Sequence, residues 1–162
     1  MTAAIIVADD IVWETLITKK LITPMQLRHI LFLLNLKYLK ETGKPLVTDY
    51  KFSKWAFGSA IKVVQDQFAD NFGSTKITYI PKWKYLTCDK NNNLQVKEYN
   101  FEPQHILPEQ DMFIIQNLAQ FVSISGWTMT NWALADPEYQ DKSRRFYDLN
   151  NSLKYFSKKK II

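Results

Sequence analysis

Thr23-Pro24-Met25-Gln26-Leu27-Arg28-His29-Ile30-Leu31-Phe32-Leu33-Leu34-Asn35-Leu36-Lys37-Tyr38, followed by Gly43-Lys44-Pro45, decides the fold class of this chain. Thr23 and Gln26 have the spacing of a reciprocal capping box, in which each side chain meets the other's backbone amide. Pro24 then falls at the first helical position, where a missing N–H is harmless. Leu27, Ile30, Leu31, Leu34 and Tyr38 recur at the spacing of one apolar helix face. Gly43 supplies a left-handed stop and Pro45 prevents resumption. The central element is therefore a capped amphipathic helix.

Weaker helical patterns flank it. Residues 3–19 place Val12, Trp13 and Leu16 among polar groups. Residues 46–58 read as an irregular connection, after which Ser59 caps a helix carrying Ile61, Val64, Phe68 and Phe72. Residues 75–99 change character. Ile77–Ile80, Trp83–Leu86 and Leu94–Val96 are β-branched, aromatic or alternating, and Asp89-Lys90-Asn91-Asn92-Asn93 is a turn cluster, so two or three strands are expected there. Pro108 opens a helix with a stripe of Met112, Ile115, Ala119 and Val122. A short helix holds Trp127, Thr130 and Leu134. Residues 139–156 form the last, with Phe146, Leu149, Leu153 and Phe156 on one face. The fold class is α+β, mostly α: one compact helical domain with a small two- or three-stranded antiparallel β element in the middle.

The 162 residues fit one domain and can bury a core without staples. One thiol, Cys88, rules out a disulfide framework and cysteine-based structural zinc sites. With no secretory core and no run approaching a membrane span, the cytoplasm is the expected compartment. The net charge of +5 is unevenly placed. Residues 142–162 hold seven basic groups against Asp148 alone, a local +6, so residues 1–141 sum to −1. A boundary at 141/142 divides the main domain from a basic C-terminal helix and tail packed on it. Lys158-Lys159-Lys160 is expected to fray, and residues 157–162 to be separable from the fold.

Chemistry-bearing patterns are scarce. The chain has two histidines, His29 and His105, and four glycines with no phosphate-cradling loop. Glu102-Pro103-Gln104-His105 has Glu-x-x-His spacing but no second such pair, and Pro103 disfavours the helix that spacing needs. No catalytic residue, cofactor or metal is expected, and the chain reads as a non-enzyme. Aromatics, by contrast, are abundant: ten Phe, eight Tyr and five Trp. Trp55, Trp83, Trp127 and Trp132, with His29, are the candidate partner-binding residues, because large aromatics suit protein contacts. The alternative is nucleic-acid binding through Arg144, Arg145, Lys154, Lys158, Lys159 and Lys160.

Residues 22–73 resemble the SocA-like, or Panacea, antitoxin domain. The resemblance rests on Ile22-Thr23-Pro24 through Phe32, on Thr42-Gly43-Lys44-Pro45-Leu46-Val47, and on Phe52-Ser53-Lys54-Trp55-Ala56-Phe57-Gly58. Pro108 to Tyr139 is similar to a later part of the family pattern, with Ala133, Leu134, Pro137 and Tyr139 in matching places. His29 stands where the family commonly has lysine, Phe32 and Phe57 replace tyrosines, Ser59 a proline and Leu134 a histidine. The resemblance implies a non-enzymatic antitoxin, often carried by phages or mobile elements, that neutralises a cognate toxin or a host factor by protein contact or protease delivery.

Overall fold

The computed structural model describes residues 3–162. Its order is α1 (Ala4–Ile17), α2 (Pro24–Thr42), β1 (Ser53–Trp55), β2 (Gly58–Ala60), α3 (Lys62–Phe72), β3 (Trp83–Cys88), β4 (Leu94–Tyr99), a 3-10 turn (Pro103–His105), α4 (Pro108–Val122), α5 (Gly126–Ala135), α6 (Pro137–Gln140) and α7 (Leu149–Lys158). The chain is mostly helical, with two small two-stranded antiparallel sheets.

The capping box forms as its spacing demands. Gln26 N donates to Thr23 Oγ1 at 3.2 Å, and Thr23 N to Gln26 Oε1 at 2.9 Å. Gly43 ends α2 at φ +74°. The helix is buried on more than the one expected face, however. Leu27, Ile30, Leu31, Phe32, Leu33, Leu34 and Leu36 are all within the core. A helix apolar on all sides belongs at the centre of a bundle, and α1, α3, α4, α5 and α7 pack around α2.

Several expectations are corrected. Residues 53–60 form a tight hairpin rather than an irregular connection, with Trp55 opposite Gly58. Ser59 is a buried strand residue, and Ile61 occupies the N-cap of α3 without a side-chain cap bond. The helix expected over 139–156 is split. Lys54 N donates to Arg145 O (2.9 Å) and Tyr147 N to Phe52 O (3.0 Å), so the intervening segment lies extended beside β1. Tyr147 is buried there, whereas Phe146 is 40% exposed. On α4 the core stripe is Phe113, Ile114, Leu118 and Phe121. Met112, Ile115 and Ala119 face outward, because the bulkier phenylalanines take the interior. Residues 77–80 contribute no strand; Ile77 is buried and its amide donates to Ile22 O at 2.8 Å.

The C-terminal segment is tied to the body by buried charge. Glu138 accepts Lys54 Nζ at 3.0 Å with both side chains 2% exposed, Arg144 at 2.7 Å and the Asp148 amide at 2.8 Å. Burial pushes its carboxyl up, but the bonds from the Asp148 amide, the Asn151 side chain and Lys54 hold it below the usual range. Asp136 accepts Ser152 Oγ at 2.6 Å, fixing α7. The lysine run caps this helix: Lys160 takes φ +58°, Lys160 N donates to Ser157 O and Ile161 N to Phe156 O. This pair of bonds is the Schellman pattern. Ile161 and Ile162 pack against the core, and Lys40 Nζ donates to Ile162 O. The tail is thus anchored, contrary to the reading of 157–162 as separable.

Candidate functional site

Arg28 and His29 leave α2 toward the β1–β2 hairpin. Arg28 Nε donates to Ser59 O at 2.5 Å, and its Nη2 donates to Gly58 O at 3.1 Å and to Ala56 O. A guanidinium presents several donors in one fixed fork, so a single side chain can gather three carbonyls of one turn. The turn holds Phe57 at φ +69°, a left-handed conformation uncommon for a bulky residue. Its ring is thereby presented at the surface, 45% exposed and edge-on to Trp127 at 6.0 Å. Trp127, in the first turn of α5, is 63% exposed.

His29 lies beneath this ridge. It is 3% exposed, and its Nε2 is 2.9 Å from Thr130 Oγ1. Burial, and then the neighbouring Arg28 charge, push its pKa down to about 4, so the imidazole is neutral at physiological pH. Gly58 closes the space above it. A Cβ there would stand 2.9 Å from Ala133 Cβ and 3.1 Å from His29 Cε1. Of the five positions where the chain departs from the family pattern, 29, 57 and 59 therefore lie at one junction of α2, β2 and α5. The Ser59 hydroxyl is buried there with no hydrogen-bond partner. Leu134 follows Ala133 on α5 and is 39% exposed, and Phe32 packs elsewhere, among Phe52, Tyr147 and Phe156.

The remaining tryptophans are anchors. Trp83 donates its indole N–H to Asp9 at 2.5 Å and stacks on Tyr99 at 5.9 Å. Asp9 is wholly buried, and burial lifts its carboxyl to about 8 although Trp83 and Gln67 both donate to it. Trp55 is half-buried, and its carbonyl accepts Tyr139 OH at 2.9 Å. Trp132 is half-buried against the core. Of the five candidate partner-binding residues, only Trp127 is thus an open surface aromatic.

A second surface escaped the sequence reading. From the base formed by Trp83 and Tyr99, β3 and β4 extend as an isolated antiparallel hairpin, neither strand having another sheet neighbour among the described residues. Register places Leu86 opposite Val96 and Cys88 opposite Leu94, so these four share one face. Leu86 is 69%, Leu94 75% and Val96 64% exposed, and Cys88 is exposed too. The tip is well built. Asp89 Oδ1 accepts the Asn91 and Asn93 amides at 2.8 and 2.9 Å, and Asn92 takes φ +67°. The amide of Asn93 chiefly, with that of Asn91, holds the Asp89 carboxyl below its usual value. An open cleft of about 960 Å³ adjoins the base, walled by Tyr50, Tyr79, Trp83 and Tyr99 with Asp66 and Lys82.

The basic segment is less available than its formal charge suggests. Arg144 pairs with Glu138 (2.7 Å), Asp141 (3.4 Å) and Asp148 (3.7 Å). Arg145 sits over the Phe146 ring at 5.4 Å. Lys154, Lys158, Lys159 and Lys160 are exposed. Among the described residues, no helix is long and apolar enough to cross a membrane.

Alternation at Leu94-Gln95-Val96 was the available signal for the hairpin. Which of its faces stays uncovered depends on packing that no local pattern encodes. Among known proteins, the family model described as antitoxin SocA-like, Panacea domain, matches residues 27–139. No curated protein and no solved structure matches the chain.

Proposed function

The chain belongs to the SocA-like Panacea-domain antitoxin family, and from that premise we propose that it is a non-enzymatic protein that neutralises a cognate toxin, or inhibits a host factor, by direct contact through the β3–β4 hairpin. The observation that carries this reading is the hairpin's uncovered apolar face. Single exposed aliphatics need no explanation, but Leu86, Leu94 and Val96 form one contiguous face, and no further strand pairs with either edge among the described residues. A partner can bury those side chains and pair with an edge strand at once, the mode of β-augmentation. The Phe57–Trp127 ridge offers a further aromatic contact of the kind that anchors protein interfaces. A phage or other mobile element is the natural setting for such a gene.

Co-expression with the toxin-like product of a neighbouring reading frame tests the proposal. The parent protein should restore growth and co-purify at one-to-one stoichiometry. The double substitution Leu86→Asp and Val96→Asp should weaken binding at least about 100-fold, because two charges would be carried into an apolar contact. These side chains are exposed, so the melting temperature should stay within a few degrees of the parent. Undiminished neutralisation by a folded double variant would sink the assignment to the hairpin. Failure of the parent to engage any adjacent gene product would sink the antitoxin reading itself.

A further inference from the structure

Asp10 and Glu14 stand one helical turn apart on α1 and therefore share a face. Asp111 lies in the first turn of α4, which packs against α1. One carboxylate oxygen from each of the three can be chosen so that all lie within 4.8 Å of one another. Glu14 and Asp111 are half-buried and open the cluster toward solvent. Asp10 is different: it is 0% exposed, and both its oxygens are buried without a hydrogen-bond donor. The groups acting on it electrostatically are the carboxyls of Asp111 and Glu14, both of like sign. The Asp111 carboxyl faces it as acceptor to acceptor, an arrangement that holds only with a proton or a cation between them. Among the described residues, no basic side chain forms an ion pair with any of the three.

We propose that Asp10, Glu14 and Asp111 bind one hard divalent cation that clamps α1 to α4. The donor set is all carboxylate oxygen, with neither imidazole nor thiolate, the chemistry that suits Ca2+, Mg2+ and Mn2+ rather than zinc or copper. The spacing suits the same class. Oxygens on opposite sides of a Ca2+ at 2.4 Å are about 4.8 Å apart, and those of Mg2+ at 2.1 Å about 4.2 Å. Asp10 supplies the buried ligand, while the two half-buried carboxylates leave room for coordinating water. The cation is a structural clamp between α1 and α4, and none of its three ligands belongs to the β3–β4 hairpin.

The test uses the full-length protein freed of metal with chelator, titrated with CaCl2, MgCl2 and MnCl2 by calorimetry. Binding of Mn2+ is also read from loss of its free-ion paramagnetic resonance signal. One ion per chain should bind with a dissociation constant below about 1 mM for at least one of the three metals. Saturation should raise the melting temperature, and chelator should reverse the rise. Asp111→Asn and Glu14→Gln, both at half-buried positions, should each weaken binding at least about 10-fold while remaining folded. Absence of saturable binding at about 5 mM of every metal would overturn the proposal, as would unchanged affinity in both variants. Asp10→Asn separates the alternative. If the cluster instead shares a proton, that variant should be at least as stable as the metal-free parent, and neither should respond to metal.

Discussion

Lowering the pH from 7 to 4 should remove the stability that one identifiable side chain, His29, contributes. In the unfolded chain this histidine titrates near 6.5, whereas burial and the adjacent Arg28 push it down to about 4 in the folded state. The unfolded state therefore binds the proton more readily, and stability falls as pH drops between those values. Above 6.5 both states are neutral and the contribution is complete. Each pKa unit corresponds to about 1.4 kcal/mol, so a displacement of about 2.5 units makes a loss of about 3 kcal/mol by pH 4. Buried carboxyls titrate in overlapping windows with the opposite sign, Asp9 at about 8 among them, so the parent curve alone cannot isolate His29. His29→Gln can, because glutamine keeps a polar group for Thr130 without an ionisable one. Urea unfolding at half-unit steps from pH 4 to 7.5 should show the stability gap between parent and variant shrinking by about 3 kcal/mol toward acid. Parallel curves would refute the reasoning, as would a His29 ring that titrates above pH 6 by NMR in the folded protein.

Two further outcomes follow from contacts already described. Arg28→Ala leaves the carbonyls of Ala56, Gly58 and Ser59 without their donor. It should cost about 3 kcal/mol in denaturant unfolding, with Arg28→Lys recovering only part, since an ammonium lacks the planar fork; a loss below about 0.5 kcal/mol would show that the hairpin holds itself. Removal of residues 157–162 strips the cap of α7 and the packing of Ile161 and Ile162. That should lower stability by about 2 kcal/mol, and an unchanged melting temperature would restore the tail to a separable role.

Legibility in the sequence tracks the locality of the cause. The α2 start was readable because Thr23, Pro24 and Gln26 act on one another within a turn, and its end because Gly43 needs no distant partner. The β3–β4 hairpin was readable from alternation and the Asp89 turn. The β1–β2 hairpin was not, since its carbonyls are satisfied by Arg28 from another element. The helix expected across 139–148 gave way because its backbone found partners at Phe52 and Lys54, nearly a hundred residues earlier. The candidate site divides in the same way. Aromatic residues were visible as residues, but whether Trp83 is an anchor or a contact is decided by Asp9. Asp10 and Glu14 share a helix face by spacing alone, yet only the packing of α4 brings Asp111 to them.

The departures from the family pattern acquire a spatial meaning through this packing. His29 is nearly thirty residues from Phe57 and Ser59 in sequence, yet it meets Gly58 between them, at the contact of that glycine with α2 and α5; Phe32 lies apart, among Phe52, Tyr147 and Phe156. That junction is filled: an added methyl at Gly58 would already touch Ala133 and His29, and the imidazole is buried and neutral. The imidazole at this place, 3% exposed, has no opening to solvent. What the junction does present outward is apolar, the Phe57 ring fixed by a left-handed backbone and backed by Trp127. The β3–β4 hairpin, apolar on its free face and distinct from that junction, carries the larger uncovered surface. On the proposed function, partner recognition in this chain would rest on shape and burial at two apolar features rather than on a shared constellation of ionisable groups. Such surfaces can diverge to fit different partners while the capped α2 and its surrounding helices keep the same fold.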